Sequence, residues 1–212
     1  MSFTPHADQT RRALLRLGLL LPASVALAAC GGRTLEAIAR GTAAAQEMEL
    51  TPACDPDGST TRAQTEGPYF ARNSPQRRSL IDAGVNGTRL VLAGSVLSRQ
   101  CQPVAGVLLD FWQADDAGTY DNVGYRVRGH QFTDELGRYE LETVVPGLYP
   151  GRTRHIHVKV QAPNGPILTT QLYFPDEPRN RTDGIFSSSL VMAVQDAENG
   201  KGAAFDFVVN TA

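Results

Sequence analysis

His155-Ile156-His157-Val158-Lys159-Val160 is the stretch whose reading decides the fold. Its apolar residues fall at every second position, the period of a strand and not of a helix. As a strand it turns Ile156, Val158 and Val160 toward a core and His155, His157 and Lys159 to the opposite face. Working outward, short runs of β-formers recur: Arg89 to Leu97, Val107 to Trp112, Gly137 to Val144, Leu168 to Phe174 and Phe205 to Val209. Turn residues separate them, among them Asn86-Gly87, Asp116-Ala117-Gly118, Pro146-Gly147 and Pro163-Asn164-Gly165. Many short strands without long helical patterns predict an all-β chain, an antiparallel β-sandwich with long loops.

The chain has 212 residues, 42% of them hydrophobic, enough for one sizeable core. Its 20 Lys and Arg against 22 Asp and Glu leave no basic excess to hold a phosphate backbone, so nucleic-acid binding is excluded as the expected function. Three cysteines are too few for a disulfide-packed miniprotein.

The first residues read as an address. Thr10-Arg11-Arg12 opens a basic stretch, and an Ala/Leu-rich run follows, ending Leu27-Ala28-Ala29-Cys30. Residues 1–29 are expected to be a signal peptide of twin-arginine type, with a lipobox that makes Cys30 the lipidation site. Residues 30–50, small and weakly patterned, read as a tether, and 51–212 as the folded domain. Export to the periplasm follows, with membrane contact only through the lipid. Cys54 and Cys101 remain in an exported domain, where a pair is more often bridged than free.

Only His130, His155 and His157 lie beyond the signal. Two imidazoles at i and i+2 of a strand can reach one metal ion, although a bare pair also suits the solvent side of an ordinary strand. Two alternatives stay open here: a copper or zinc enzyme using this pair with His130, and a metal-free surface module. His130 itself reads as structural, and Trp112 as core.

Around the pair stand Thr65-Glu66-Gly67-Pro68-Tyr69-Phe70, Asp110-Phe111-Trp112-Gln113-Ala114-Asp115, Arg128-Gly129-His130-Gln131-Phe132-Thr133-Asp134, Pro146-Gly147-Leu148-Tyr149-Pro150 and Leu168-Thr169-Thr170-Gln171-Leu172-Tyr173-Phe174. In this order they resemble the intradiol ring-cleavage dioxygenases, the family of protocatechuate 3,4-dioxygenase and catechol 1,2-dioxygenase, in its exported single-domain branch. The resemblance runs from about Thr65 to Phe174. It implies one non-haem Fe(3+) per chain, held by Tyr69, Tyr149, His155 and His157. Phenolate is a hard anionic oxygen donor suited to ferric iron, and imidazole serves iron generally. It implies a catechol-type substrate, cleaved with O2 between its two hydroxylated carbons to a muconate-type diacid. It further implies that Tyr149 leaves the metal on substrate binding and accepts a proton, that Arg152 stabilises developing anionic charge, and that Gln171 orients a ligand. Relatives of this kind often assemble, so a homo-oligomer is an expectation. One departure is local: five residues separate Tyr149 from His155, with Gly151 where catabolic enzymes carry bulk, which implies a more open substrate pocket.

Overall fold

A computed structural model describes Cys54 and residues 58–211. The expected signal peptide, Cys30 and the tether lie outside the described residues. Nine strands and two short 3-10 turns form among the described residues, with no α-helix. They are β1 (Arg89–Ser98), β2 (Leu108–Trp112), β3 (Arg128–Phe132), β4 (Arg138–Val144), β5 (His155–Gln161), β6 (Ile167–Tyr173), β7 (Ala193–Ala197), β8 (Gly200–Ala204) and β9 (Phe207–Val209).

Two sheets pack face to face. The first runs β4-β1-β8-β7, with β9 also on β1, and the second runs β3-β2-β5-β6. Leu90, Leu92 and Val96 of β1, Leu109 and Phe111 of β2, and Ile156, Val158 and Val160 of β5 are all fully buried in the core between them. Each such side chain contributes about 1.5–3 kcal/mol relative to leaving it in water. The sandwich matches the expected class, but the first sheet is mixed. β1 runs parallel to both β8 and β9, pairing Ala93 with Ala204 and Val96 with Phe207. Between these pairs Gly94 lies against the Phe205 carbonyl, where a Cβ would come within 1.9 Å. Only glycine admits that approach.

The second sheet has a core face and a functional face. Its pairings place Arg128, Trp112, His157 and Gln171 side by side across all four strands. All four are buried, because loops cover this end of the outer face. The face that the sequence assigns to His155 and His157 is therefore not solvent-exposed. Part of the cover is the incoming chain, which runs along β6. Gln64 N–H donates to the Thr169 carbonyl at 2.8 Å, Thr170 Oγ1 to the Arg62 carbonyl at 2.7 Å, and Gln171 Nε2 to the Thr65 carbonyl at 2.8 Å. On the far side of the molecule, in the turn after β1, a disulfide joins Cys101 to Cys54, with Cα atoms 5.6 Å apart.

Candidate metal centre

His155 opens β5 and is 4% exposed. Its Nδ1–H donates to the Thr153 carbonyl at 2.6 Å, since a carbonyl can only accept. This fixes the tautomer and leaves a lone pair on Nε2. That atom is 3.1 Å from His157 Nε2. Burial keeps both rings neutral, pushing His155 down to about 4 and His157 well below its ordinary value. The His157 Nδ1 is buried without a hydrogen-bond partner among the described residues. A cation between the two Nε2 atoms would take both lone pairs and place the His157 proton on Nδ1. Trp112 stacks flat on His157, with centroids 4.8 Å apart. It is core by burial, and its place there is behind a candidate ligand.

Three tyrosines close the other side. Tyr149 arrives on the loop between β4 and β5, Tyr69 on the incoming chain and Tyr120 on the loop after β2. The Tyr69 and Tyr149 hydroxyls are 2.8 Å apart. The Tyr120 hydroxyl is 3.2 Å from His155 Nε2. Tyr69 stacks on Tyr120 at 4.4 Å, and Tyr149 meets both edge-on. Tyr120 is the most buried of the three, and burial raises its pKa strongly, against the opposing charges of Arg152 and Arg128. Tyr69 is raised chiefly by its bond to Tyr149. Of the four expected ligands, His155 and His157 stand together, and Tyr149 and Tyr69, bonded to each other, reach them through Tyr120. The sequence reading passed over Tyr120, because Asp116-Ala117-Gly118 marks a turn and nothing in the local pattern separates Tyr120 from any loop aromatic.

Among the described residues no three His, Cys, Asp or Glu side chains could together hold a metal ion. A metal held by His155 and His157 would need other donors, and the Tyr120 hydroxyl is the phenol that lies within reach of His155. His130 does not join His155 and His157; its Nδ1 is 2.8 Å from the Ser74 carbonyl, and the Ser74 hydroxyl donates to Asp110 at 2.7 Å. Its structural role stands, and the copper or zinc alternative lacks a third histidine. Two neutral imidazoles with phenolic oxygens suit a hard trivalent cation such as ferric iron, whose charge would drive the phenols to ionise.

Arg152 and Gln171 also meet at this site. Arg152 Nη2 donates to Gln171 Oε1 at 2.7 Å, and its Nε to Asp183 Oδ2 at 2.8 Å. The sequence reading missed Asp183, which lies nine residues past Phe174, the end of its last motif. Burial pushes the Asp183 carboxyl up, but bonds from the Thr153 and Ile185 N–H groups and from Arg152 outweigh it, and the group sits below the usual carboxylate range. Arg152 is thus a pinned cation. The space beside Gly151 is open, with nothing within 4 Å of where a Cβ would stand.

The Tyr120 and Tyr149 loops interlock through two glycines. A Cβ on Gly118 would lie 2.5 Å from the Leu148 carbonyl oxygen, and one on Gly147 would lie 2.3 Å from the Gly118 nitrogen. Gly118 also has φ +82°, which other residues rarely adopt. Gly147→Ala is expected to part the two loops and destabilise the fold by about 1–3 kcal/mol, as overpacking does. Thermal unfolding checks this, and an unchanged midpoint would contradict the interlock.

The Dioxygenase family model matches residues 65–211. Among curated proteins, the chain is 28% identical over 169 residues to hydroxyquinol 1,2-dioxygenase of Rhizobium sp. (strain MTP-10005), covering 65% of this chain and 56% of the relative. It is 34% identical over 121 residues to the protocatechuate 3,4-dioxygenase beta chain of Burkholderia cepacia, covering 49% and 52%. The chain thus spans about half the length of these curated relatives. Among solved structures, it is similar to the dioxygenase domain of a dioxygenase carbohydrate-binding protein fusion from the cellulolytic bacterium Streptomyces sp. SirexAA-E. That likeness has TM-score 0.71 and 56% identity, over 73% of this chain and 100% of the other.

Proposed function

We propose a function from one premise, that the chain belongs to the intradiol ring-cleavage dioxygenase family: it is a non-haem iron(III) enzyme that cleaves a catechol-type ring between its hydroxylated carbons, adding both atoms of O2 to give a muconate-type diacid. The observation that carries this reading is the convergence of the His155 and His157 Nε2 atoms with the Tyr120 hydroxyl, whose ring Tyr149 meets edge-on. In it, His155, His157, Tyr149 and Tyr120 hold the iron, and Tyr69 stands behind as the hydroxyl partner of Tyr149. When bound, ferric iron withdraws electron density from a catecholate and so opens its ring to O2.

The chain's own groups do the rest. Tyr149, half-buried at the mouth, takes a proton from the incoming catechol, and the Tyr69 hydroxyl at 2.8 Å gives the phenol a partner. Arg152 directs its fixed charge toward anionic charge that develops near the ring. Gln171 orients Arg152 and anchors the Thr65 segment in the same two bonds. Trp112 and the incoming chain keep water from the imidazoles.

The purified protein is expected to carry about one iron per chain, to absorb visible light through tyrosinate bound to iron, and to consume O2 with catechols. Metal analysis, a visible spectrum and an oxygen electrode with a catechol panel test this. A colourless protein that takes up no iron on reconstitution would overturn it.

Export belongs to the same proposal. The paired Arg11-Arg12 and the Leu27-Ala28-Ala29-Cys30 box support a lipid-anchored protein facing the periplasm. Cys30→Ser is expected to move the protein from the membrane fraction to the soluble periplasmic fraction. An unmodified protein with no acyl group by mass spectrometry would contradict the anchor.

A further inference from the structure

Arg128 completes the row with Trp112, His157 and Gln171, and the function above leaves it unused. It is 2% exposed. Its Nε and Nη2 donate to the Asp121 carbonyl at 3.2 and 2.6 Å, and its Nη1 donates to the Tyr69 carbonyl. One of these carbonyls is that of Tyr69 itself, and the other is that of the residue after Tyr120. The guanidinium therefore bridges the two chain segments whose rings stack at 4.4 Å.

Its setting is unusual for a buried cation. Burial lowers its pKa against the opposing charges of Asp121 and Asp110, and neither carboxylate forms a direct ion pair with it. The nearby Asp121 carboxylate is engaged elsewhere, accepting from the Val123, Gly124 and Arg126 N–H groups at 2.9–3.0 Å. Burying a cation that forms no direct ion pair is costly, which packing alone would not require, since Leu or Met would fill the space. What Arg supplies is a planar fork that holds two carbonyls at a fixed separation. The backbone of Arg128 is itself pinned, because Arg77 Nε donates to its carbonyl at 2.9 Å.

We propose that Arg128 is a positioning residue that clamps the Tyr69 segment to the Tyr120 segment and thereby sets where the Tyr120 hydroxyl meets His155. The consequence for iron rests on the function proposed above; the clamp itself does not.

The test compares the full exported chain with its Arg128→Lys and Arg128→Met variants. Lysine keeps the charge and loses the fork. In metal-free protein, hydrogen exchange is expected to quicken in residues 69–71 and 121–126 of both variants, with the rest of the sandwich unchanged. In iron-loaded protein, Arg128→Lys is expected to keep its iron, shift the visible band, and lower kcat by roughly 10-fold to 10²-fold through misplacement, with KM within about twofold. Unchanged exchange in both variants would overturn the clamp. Quickened exchange with an unmoved band and kcat would overturn its link to Tyr120. An unmodified protein that binds no iron would instead sink the proposed function, and the exchange measurement alone would then decide the clamp.

Discussion

Tyr120→Phe is expected to yield a pale, iron-poor protein, Tyr149→Phe an iron-bearing protein that turns over slowly, and Tyr69→Phe a protein that keeps its iron and most of its colour. The three differ by where their hydroxyls point. Tyr120 faces His155 Nε2 at 3.2 Å from a buried site. On the function proposed above, removing it would take away an anionic ligand oxygen that water cannot easily replace. Tyr149 is half-buried near Gly151, whose Cβ position is open, so on the function proposed above its loss would leave room for solvent at the metal and remove the proton acceptor. A positioned base contributes typically ~10²–10⁴-fold, which is the expected fall in turnover. Tyr69 bonds to Tyr149 and stacks on Tyr120, so its phenylalanine variant keeps the stack and loses one bond. Iron content, visible spectrum and O2 uptake on the three proteins give the answer. Bleaching in Tyr69→Phe with full colour in Tyr120→Phe would return the permanent ligand to Tyr69, where the sequence motif alone assigns it.

Arg152→Ala is expected to keep iron and colour while lowering kcat by about 10²–10³-fold, equivalent to roughly 3–4 kcal/mol for one preorganised charge partner at a reacting centre. Lysine should rescue little, because Arg152 spans Asp183 and Gln171 with two different nitrogens. The comparison that matters is turnover against the spectrum. Loss of colour in step with activity would mean that Arg152 only holds the loop. A variant as fast as the unmodified protein would remove Arg152 from the chemistry.

Strands with alternating β-formers were legible from sequence. β1, β4 and β5 stand within a residue or so of where periodicity puts them, because one face of each is core. β7 and β8 were not legible. Ala193-Val194-Gln195-Asp196-Ala197 and Gly200-Lys201-Gly202-Ala203-Ala204 are short of β-formers, and they form a hairpin because β1 offers an edge to pair with. β3 was hidden for a related reason: Arg128-Gly129-His130-Gln131-Phe132 mixes charge and glycine, and Arg128 is buried by its bonds to the nearby Asp121 carbonyl and the distant Tyr69 carbonyl. At the site, residues in compact motifs were legible, as His155, His157, Tyr149, Arg152 and Gln171 were. Tyr120 and Asp183 acquire their roles from partners 35 and 31 residues away. No local pattern encodes such contacts.

The strap of incoming chain along β6 bears on the order in which the molecule can be completed. Arg62 and Thr65 bond to Thr170 and Gln171, residues 108 and 106 positions later. At a synthesis rate of about 5–20 residues per second, the start of the domain waits roughly 5–20 s for the strand that receives it. Until then Tyr69 has no fixed place over Tyr120, and the imidazoles stay uncovered. The loop closed by these bonds is long, so its docking is a late event in folding. The centre is therefore finished only once β6 has been made; on the function proposed above, that would place metal capture at the end of folding and tie it to whichever compartment the folded chain then occupies.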